Sequence, residues 1–333
     1  MKLGILAYSS ETGLGYQTKS YYKHLNPSKV MLVDLSKLNG TKQNNDWYKA
    51  PYYVDGYPSK QQIDNFLLDL DVMLFAETPL NYYFYQRARE LGIKTAVVIN
   101  WEFFDHILYP DKPLPDLFIM PSIWHLADMM EFGIRNKVKV KQIHHPVDRE
   151  EMPFRIRNSK HFVHIAGKFA AHDRNGTFDY LHAMPDGRVT TQSHDLINRL
   201  SRRYNQARIF QNITESKMLY DHGDILVLPR RYGGNCLPMN EALSCGMPVI
   251  MPDISPNNHL LPKEWLVKAE KFDSFTPRTS IDIYAVDQED LRQRLDYFRN
   301  CDINEESRKA DKIADSISWK TLKQKYIEAL ESL

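Results

Sequence analysis

The sequence predicts an α/β protein made of two tandem halves, each with a parallel sheet. Short apolar runs alternate with amphipathic stretches along all 333 residues. Most of those runs are unbroken rather than alternating, as strands covered on both faces require. A chain of this length suits two domains with a large buried core.

In the first half the expected strands are Leu3–Tyr8, Val30–Leu35, Val72–Ala76, Thr95–Asn100, Leu117–Met120 and Val138–Ile143. The helices expected between them include Gly15–His24, Lys60–Leu70, Tyr82–Leu91 and Ser122–Phe132. In the second half the strands are Phe162–Ala166, Arg188–Thr190, Ala207–Phe210, Ile225–Leu228 and Pro248–Met251, with Trp265–Val267 and Ile281–Tyr284 as weaker candidates. A break is expected near His145-Pro146-Val147-Asp148, ahead of the charged stretch Arg149–Lys160. The last helical pattern, Trp319 to Leu333, places Leu322, Tyr326, Ile327 and Leu330 on one face.

Composition excludes several classes. Hydrophobic residues make up 43% and charged residues 26%, an ordinary globular balance. No apolar run approaches the roughly 20 residues that span a bilayer. Met1-Lys2-Leu3-Gly4-Ile5 runs straight into a strand pattern, so the expected location is cytoplasmic. Cys236, Cys245 and Cys301 have no metal-ligand spacing and read as reduced thiols. Asp69-Leu70-Asp71 lies at a helix end entering a strand, outside the loop context of a metal–nucleotide site, and no metal is expected. The net charge is +1, yet Arg135 to Arg231 holds 18 Lys/Arg against 10 Asp/Glu. A basic middle suits a nucleotide diphosphate or a polyanion, and equally a solvated face at Arg199, Arg202, Arg203 and Arg208.

Three segments carry the chemistry. The loop Ser9–Thr18 follows the first strand, and Gly13 and Gly15 let backbone amides approach an anion at a helix start. The segment His164–Thr177 follows a strand and contains Gly167-Lys168 and Arg174-Asn175-Gly176. The run Arg230-Arg231-Tyr232-Gly233-Gly234-Asn235-Cys236-Leu237-Pro238-Met239-Asn240-Glu241 leads through Ala242-Leu243 to Gly246-Met247-Pro248-Val249. It reads as a glycine loop, a short helix with one carboxylate, and a second buried strand. On the other half, Glu77-Thr78-Pro79 and Asn100-Trp101-Glu102 sit just past strand ends, with Asp105 and His106 close behind. A carboxylate or His there suits a general base. The aromatic run Tyr82–Tyr85 with Trp101, Phe103, Phe104 and Tyr109 reads as core first and as a stacking surface second.

The run ending in Glu241-Ala242-Leu243 and Gly246-Met247-Pro248-Val249 resembles the donor signature of GT-B glycosyltransferases, especially glycosyltransferase family 4. The first of that signature's two glutamates is missing: Gly233 stands in its place. The resemblance implies two Rossmann-like domains facing a cleft, with the C-terminal helix crossing back to the first. It implies an acceptor-side domain over 1–148, a donor domain over 149–315 and the returning helix over 316–333. It further implies a hexosyl- or pentosyltransferase. Lys168 and Arg174 would carry the donor diphosphate. Gly13, Gly15, Gly234, Asn235, Cys236 and Leu237 would line the donor, and Glu241 would hold the ribose. A UDP-sugar is the favoured donor. The family works with retention, in which the leaving phosphate takes the acceptor's proton; Glu102 is the candidate should a separate base be used.

The acceptor is either a saccharide or lipid-linked glycan, or a hydroxymethylated base in DNA, as in the glycosyltransferases with which phages hypermodify their genomes. Rival readings are a nucleotide-sugar epimerase of the same fold, a nicotinamide-dependent oxidoreductase using Gly13-Leu14-Gly15, and a non-catalytic nucleic-acid-binding protein.

Overall fold

A computed structural model describes residues 1–39, 43–167, 171–191, 193–211 and 216–333. Contacts within the chain divide it into two units. The first comprises Met1–His145, Pro277–Thr279 and Leu322–Leu333; the second comprises Pro146–Thr276 and Ser280–Thr321.

The first unit runs β1 (Leu3–Ala7), α1 (Gly13–Leu25), β2 (Lys29–Asp34), α2 (Ser36–Asn39), β3 (Tyr52–Asp55), α3 (Lys60–Leu67), β4 (Val72–Ala76), α4 (Tyr83–Glu90), β5 (Lys94–Val98), β6 (Leu117–Met120), α5 (Leu126–Asn136) and β7 (Lys139–Gln142). All seven strands are parallel, in the order β3-β2-β1-β4-β5-β6-β7. β1, β4 and β6 are buried along their whole length, which is why they read as continuous apolar runs.

Helix ends follow local chemistry. Ser59 and Gln62 form a reciprocal capping box at the start of α3, an arrangement worth about 1 kcal/mol. Asn26 closes α1 in the left-handed conformation. Two expected helices shift for the same kind of reason. α3 stops at Leu67, just before left-handed Asp69, and α5 starts at Leu126 because left-handed His125 precedes it.

The second unit runs β8 (Phe162–Ile165), α6 (Thr177–Ala183), β9 (Arg188–Thr190), α7 (His194–Arg203), β10 (Arg208–Phe210), β11 (Ile225–Val227), α8 (Leu237–Ser244), β12 (Val249–Pro252), β13 (Leu266–Val267), β14 (Ala269–Phe275), β15 (Ile281–Val286), α9 (Gln288–Asn300), α10 (Ile303–Ser316) and α11 (Trp319–Glu331). Its parallel sheet has the order β10-β9-β8-β11-β12-β13. β14 and β15 form a separate antiparallel hairpin. From Leu322 onward α11 belongs to the first unit, where Tyr326 lies 5.8 Å from the Tyr21 ring and Lys139 Nζ donates to the Ser332 carbonyl. Among the described residues, no helix is long and apolar enough to cross a membrane.

Candidate functional site

Both sheets have a switch point, where chain order reverses direction across neighbouring strands. Parallel α/β sheets bind ligands beyond the carboxyl ends of the strands at such points. In the second sheet it lies between β8 and β11, in the first between β1 and β4.

Two loops leave the switch point of the second unit. The one after β8 bends through Gly167 and Gly176, both at positive φ. A Cβ on Gly176 would stand 2.1 Å from the Pro229 carbonyl oxygen, so this loop lies tightly against the end of β11. Asn175 Nδ2 ties it down by donating to the carbonyls of Ile165 at 3.0 Å and Ala166 at 3.2 Å. Asp173 accepts from the amides of Thr177 at 3.0 Å and Phe178 at 2.9 Å, capping α6. Beneath the loop, buried His164 joins the strands. Its Nδ1 faces the Val227 carbonyl at 2.7 Å, which requires an N–H there, so Nε2 accepts from the Thr177 hydroxyl at 3.0 Å. Burial pushes the His164 pKa down to about 4. Lys168 lies outside the described residues.

The loop after β11 carries an arginine pair. Arg231 is committed to Asp179 at 2.9 Å, while its carbonyl accepts from the Tyr284 amide of the hairpin at 3.0 Å. Arg230 is only 7% exposed. Its guanidinium donates to the carbonyls of Tyr232 at 3.1 Å and Asn235 at 3.0 Å, and to Asn175 Oδ1 at 3.3 Å. Arg174 reaches over from the other loop and lies above the Tyr232 ring at 5.1 Å. Gly233, at φ 114, sits where the two guanidinium groups meet. Sequence reasoning gave Arg230 no role; the signal was present in two consecutive arginines directly after a buried strand.

Gly234 and Asn235 lead into buried Cys236, the residue that precedes α8, and Leu237 opens the helix. Pro238 in the first turn suits a position whose N–H would have no helical partner. Glu241 follows one turn later. It is half-buried, and Oε2 accepts from the Tyr220 hydroxyl at 2.5 Å. Burial pushes the Glu241 carboxyl up to about 7, against the opposing effect of that hydrogen bond. An acceptor poised there suits hydroxyl donors such as those of a ribose.

In the first unit, the loop after β1 caps α1. Thr12 Oγ1 accepts from the Gly15 amide at 3.3 Å, and a Cβ on Gly15 would fall 1.8 Å from the Ser10 carbonyl oxygen. This turn alone accounts for Gly15, while Gly13 opens the helix. Glu77, after β4, stands at the switch point in a left-handed conformation and accepts from Asn100 Nδ2 at 3.0 Å. Glu102 is buried one strand further along, in the short turn Trp101–Phe103 after β5. Asp105 accepts from Tyr82 at 2.6 Å and Lys112 at 2.5 Å. Burial opposes its ionisation, but these partners prevail and hold its carboxyl below the usual range. His106 is pushed down by burial and bonds the Pro113 carbonyl at 3.2 Å. Asp105 and His106 thus form a packed network. Trp101, Phe84, Tyr85 and Phe104 are core, whereas Phe103 and Tyr109 are exposed. Among the described residues, no group of three or more His, Cys, Asp or Glu could hold a metal ion.

No family model and no curated protein sequence matches this chain. Solved structures do. The structure of Anabaena HepE in complex with UDP superposes with a TM-score of 0.71 at 12% identity, covering 100% of both chains. A glycosyltransferase from Rickettsia africae gives 0.66 at 12% identity over 99% of this chain and 98% of that one. The GtfA/B complex gives 0.60 at 13% identity over 82% of this chain; the match spans 60% of the GtfA/B chain. The two-sheet α/β fold is therefore that of GT-B glycosyltransferase structures.

Proposed function

We infer that this chain is a glycosyltransferase that moves a sugar from a nucleotide-sugar donor to an acceptor hydroxyl. The observation that carries the reading is the β8–β11 switch point, where Arg174 and Arg230 meet at Gly233 in the loop that runs into the Glu241 helix. Departure of a nucleoside diphosphate builds charge on its phosphates, and fixed cations lower that barrier by several kcal/mol. Arg174 supplies one cation and Lys168 a second, from the same loop. Glu241, presented from α8 and held by Tyr220, takes the ribose hydroxyls. Gly234, Asn235, Cys236 and Leu237 line the donor, and Gly13, at the start of α1, is the first unit's candidate for contact with an anion. HepE was solved with UDP, which favours a UDP-sugar here.

The first unit takes the acceptor. With retention, the leaving phosphate removes the acceptor's proton; Glu77 fits a direct role better than Glu102, because it stands at the switch point. A hydroxymethylated base in DNA and a saccharide are the two competing acceptors. A thermal-shift screen of nucleoside diphosphates and their sugars tests the donor half: UDP or a UDP-sugar should raise Tm, and no response to any nucleoside diphosphate would reject the reading. Labelled donor incubated with hydroxymethylated DNA, plain DNA and oligosaccharides then identifies the acceptor by where label appears.

A further inference from the structure

The Tyr220–Glu241 bond joins two short elements, and one buried side chain fastens both. Tyr220 ends the helical turn Ser216–Tyr220. Glu241 lies in α8, one turn before Cys245, whose amide donates to the Glu241 carbonyl at 3.0 Å. Arg157 belongs to neither element; it lies in the stretch before β8 and is only 4% exposed. Its Nε donates to the Cys245 carbonyl at 3.0 Å, and Nη1 donates to the carbonyls of Tyr220 at 3.2 Å and Gly223 at 3.0 Å. Arg155 donates to the same Tyr220 carbonyl. The last carbonyls of a helical segment have no partner within it and carry partial negative charge, so a cation is favoured there.

Packing holds the Arg155–Arg157 stretch against the end of α8. A Cβ on Gly246 would fall 2.4 Å from the Arg155 carbonyl oxygen. The Arg157 amide donates to Ser307 Oγ at 3.1 Å, and Ser307 in turn donates to the Gly246 carbonyl at 2.7 Å. Burial pushes the Arg157 guanidinium down to about 10, which leaves it charged at neutral pH. A buried guanidinium is costly to desolvate, and its planar fork meets several carbonyls at once in a way that a lysine cannot reproduce.

We propose that Arg157, with Arg155 beside it on the Tyr220 carbonyl, is a positioning residue for the donor site: its grip on the Tyr220 and Cys245 carbonyls sets the Glu241 carboxylate where it takes the ribose hydroxyls. This rests on the nucleotide-sugar reading above and adds to it the residue that orders the ribose contact.

Calorimetric titration of UDP and ADP, each beside its 2′-deoxy analogue, tests it. The natural chain should bind the preferred ribonucleotide about tenfold or more tighter than its deoxy analogue, the scale of one hydrogen bond to a charged group. In Arg157→Lys that ratio should fall below about threefold. Arg155 is half-exposed, so Arg155→Met should fold, and there the ratio should fall by less. In a Tyr220→Phe background Arg157→Lys should change the ratio less than it does alone, because the route through Tyr220 is already cut. Variants that melt earlier or bind every nucleotide more weakly, yet keep the natural ratio, overturn the proposal and leave Arg157 as a helix cap. A natural chain that binds ribonucleotides and deoxyribonucleotides alike also overturns it, while the nucleotide-sugar reading stands. Failure of all four to bind the natural chain overturns both. Should Arg157→Lys fail to fold, Arg155→Met decides, and an unchanged ratio there overturns the proposal.

Discussion

The hydroxyl of Tyr220 donates to Oε2 of Glu241 at 2.5 Å, and the Tyr220 side chain is fully buried. This bond and burial act in opposite directions on the one carboxylate on α8, and burial prevails. Burial raises the Glu241 pKa to about 7, so the group changes charge within the working range of an enzyme.

Ribose hydroxyls bind a carboxylate better than a carboxyl, since both oxygens then accept. Affinity for UDP-glucose should therefore rise as pH climbs from 6 to 8. UDP-glucose suits the test because its diphosphate does not titrate in that window. Glu241→Gln should bind more weakly and lose the slope. Calorimetry across the range decides it; an equal slope in the variant would show that Glu241 is not the titrating group.

Tyr220→Phe keeps the shape of the ring and removes the donor. The hydrogen bond opposes the effect of burial on Glu241, so its loss should push the carboxyl higher still and move the pH profile upward. Stability should fall by about 1–2 kcal/mol, the usual cost of leaving a buried acceptor unsatisfied. Urea unfolding measures this, and an unchanged midpoint with an unchanged profile would refute the coupling.

Gly15→Ala should destabilise the first unit severely, because its Cβ would fall 1.8 Å from the Ser10 carbonyl oxygen. Gly13→Ala, at the first position of α1, should leave Tm nearly unchanged and weaken nucleotide binding. Thermal melts of the two variants separate a glycine that the turn requires from one that it does not. Equal small losses in both would mean that Ser10 does not constrain the turn.

His164 should make the fold acid-labile. Its pKa is depressed to about 4 by burial, so the unfolded chain takes up its proton first as pH falls. The stabilisation is complete above about pH 6.5 and is lost progressively toward pH 4, by on the order of 3 kcal/mol. Glu241 acts in the opposite sense: its raised pKa makes the folded state more favourable as pH falls from 7 toward 4.5. Urea midpoints at pH 7 and pH 4.5, compared between the natural chain and His164→Asn, should show a smaller acid loss in the variant. An identical loss would place the acid sensitivity elsewhere, buried His145 being the other histidine depressed to about 4.

The sequence by itself determined the α/β class and most parallel strands, because a strand covered on both faces must be apolar at every position. It also determined the helix and turn of Leu237–Val249, where Pro, Gly and a carboxylate are tied to local geometry. It did not disclose β3, half-exposed at the sheet edge, or β14, whose residues Ala269–Phe275 are mostly polar and exposed. Their hydrogen bonds come from partner strands, so no apolar pattern is needed. Only the tertiary structure decided that Arg230 and Arg174 meet at Gly233, that Tyr220 holds Glu241, and that Gly15 answers to the Ser10 carbonyl. It also decided that Glu77 rather than Glu102 stands at the switch point of the first sheet. Local periodicity records which face of an element is buried. Which distant side chains share that burial follows from strand order, and strand order exists only once the sheet has formed.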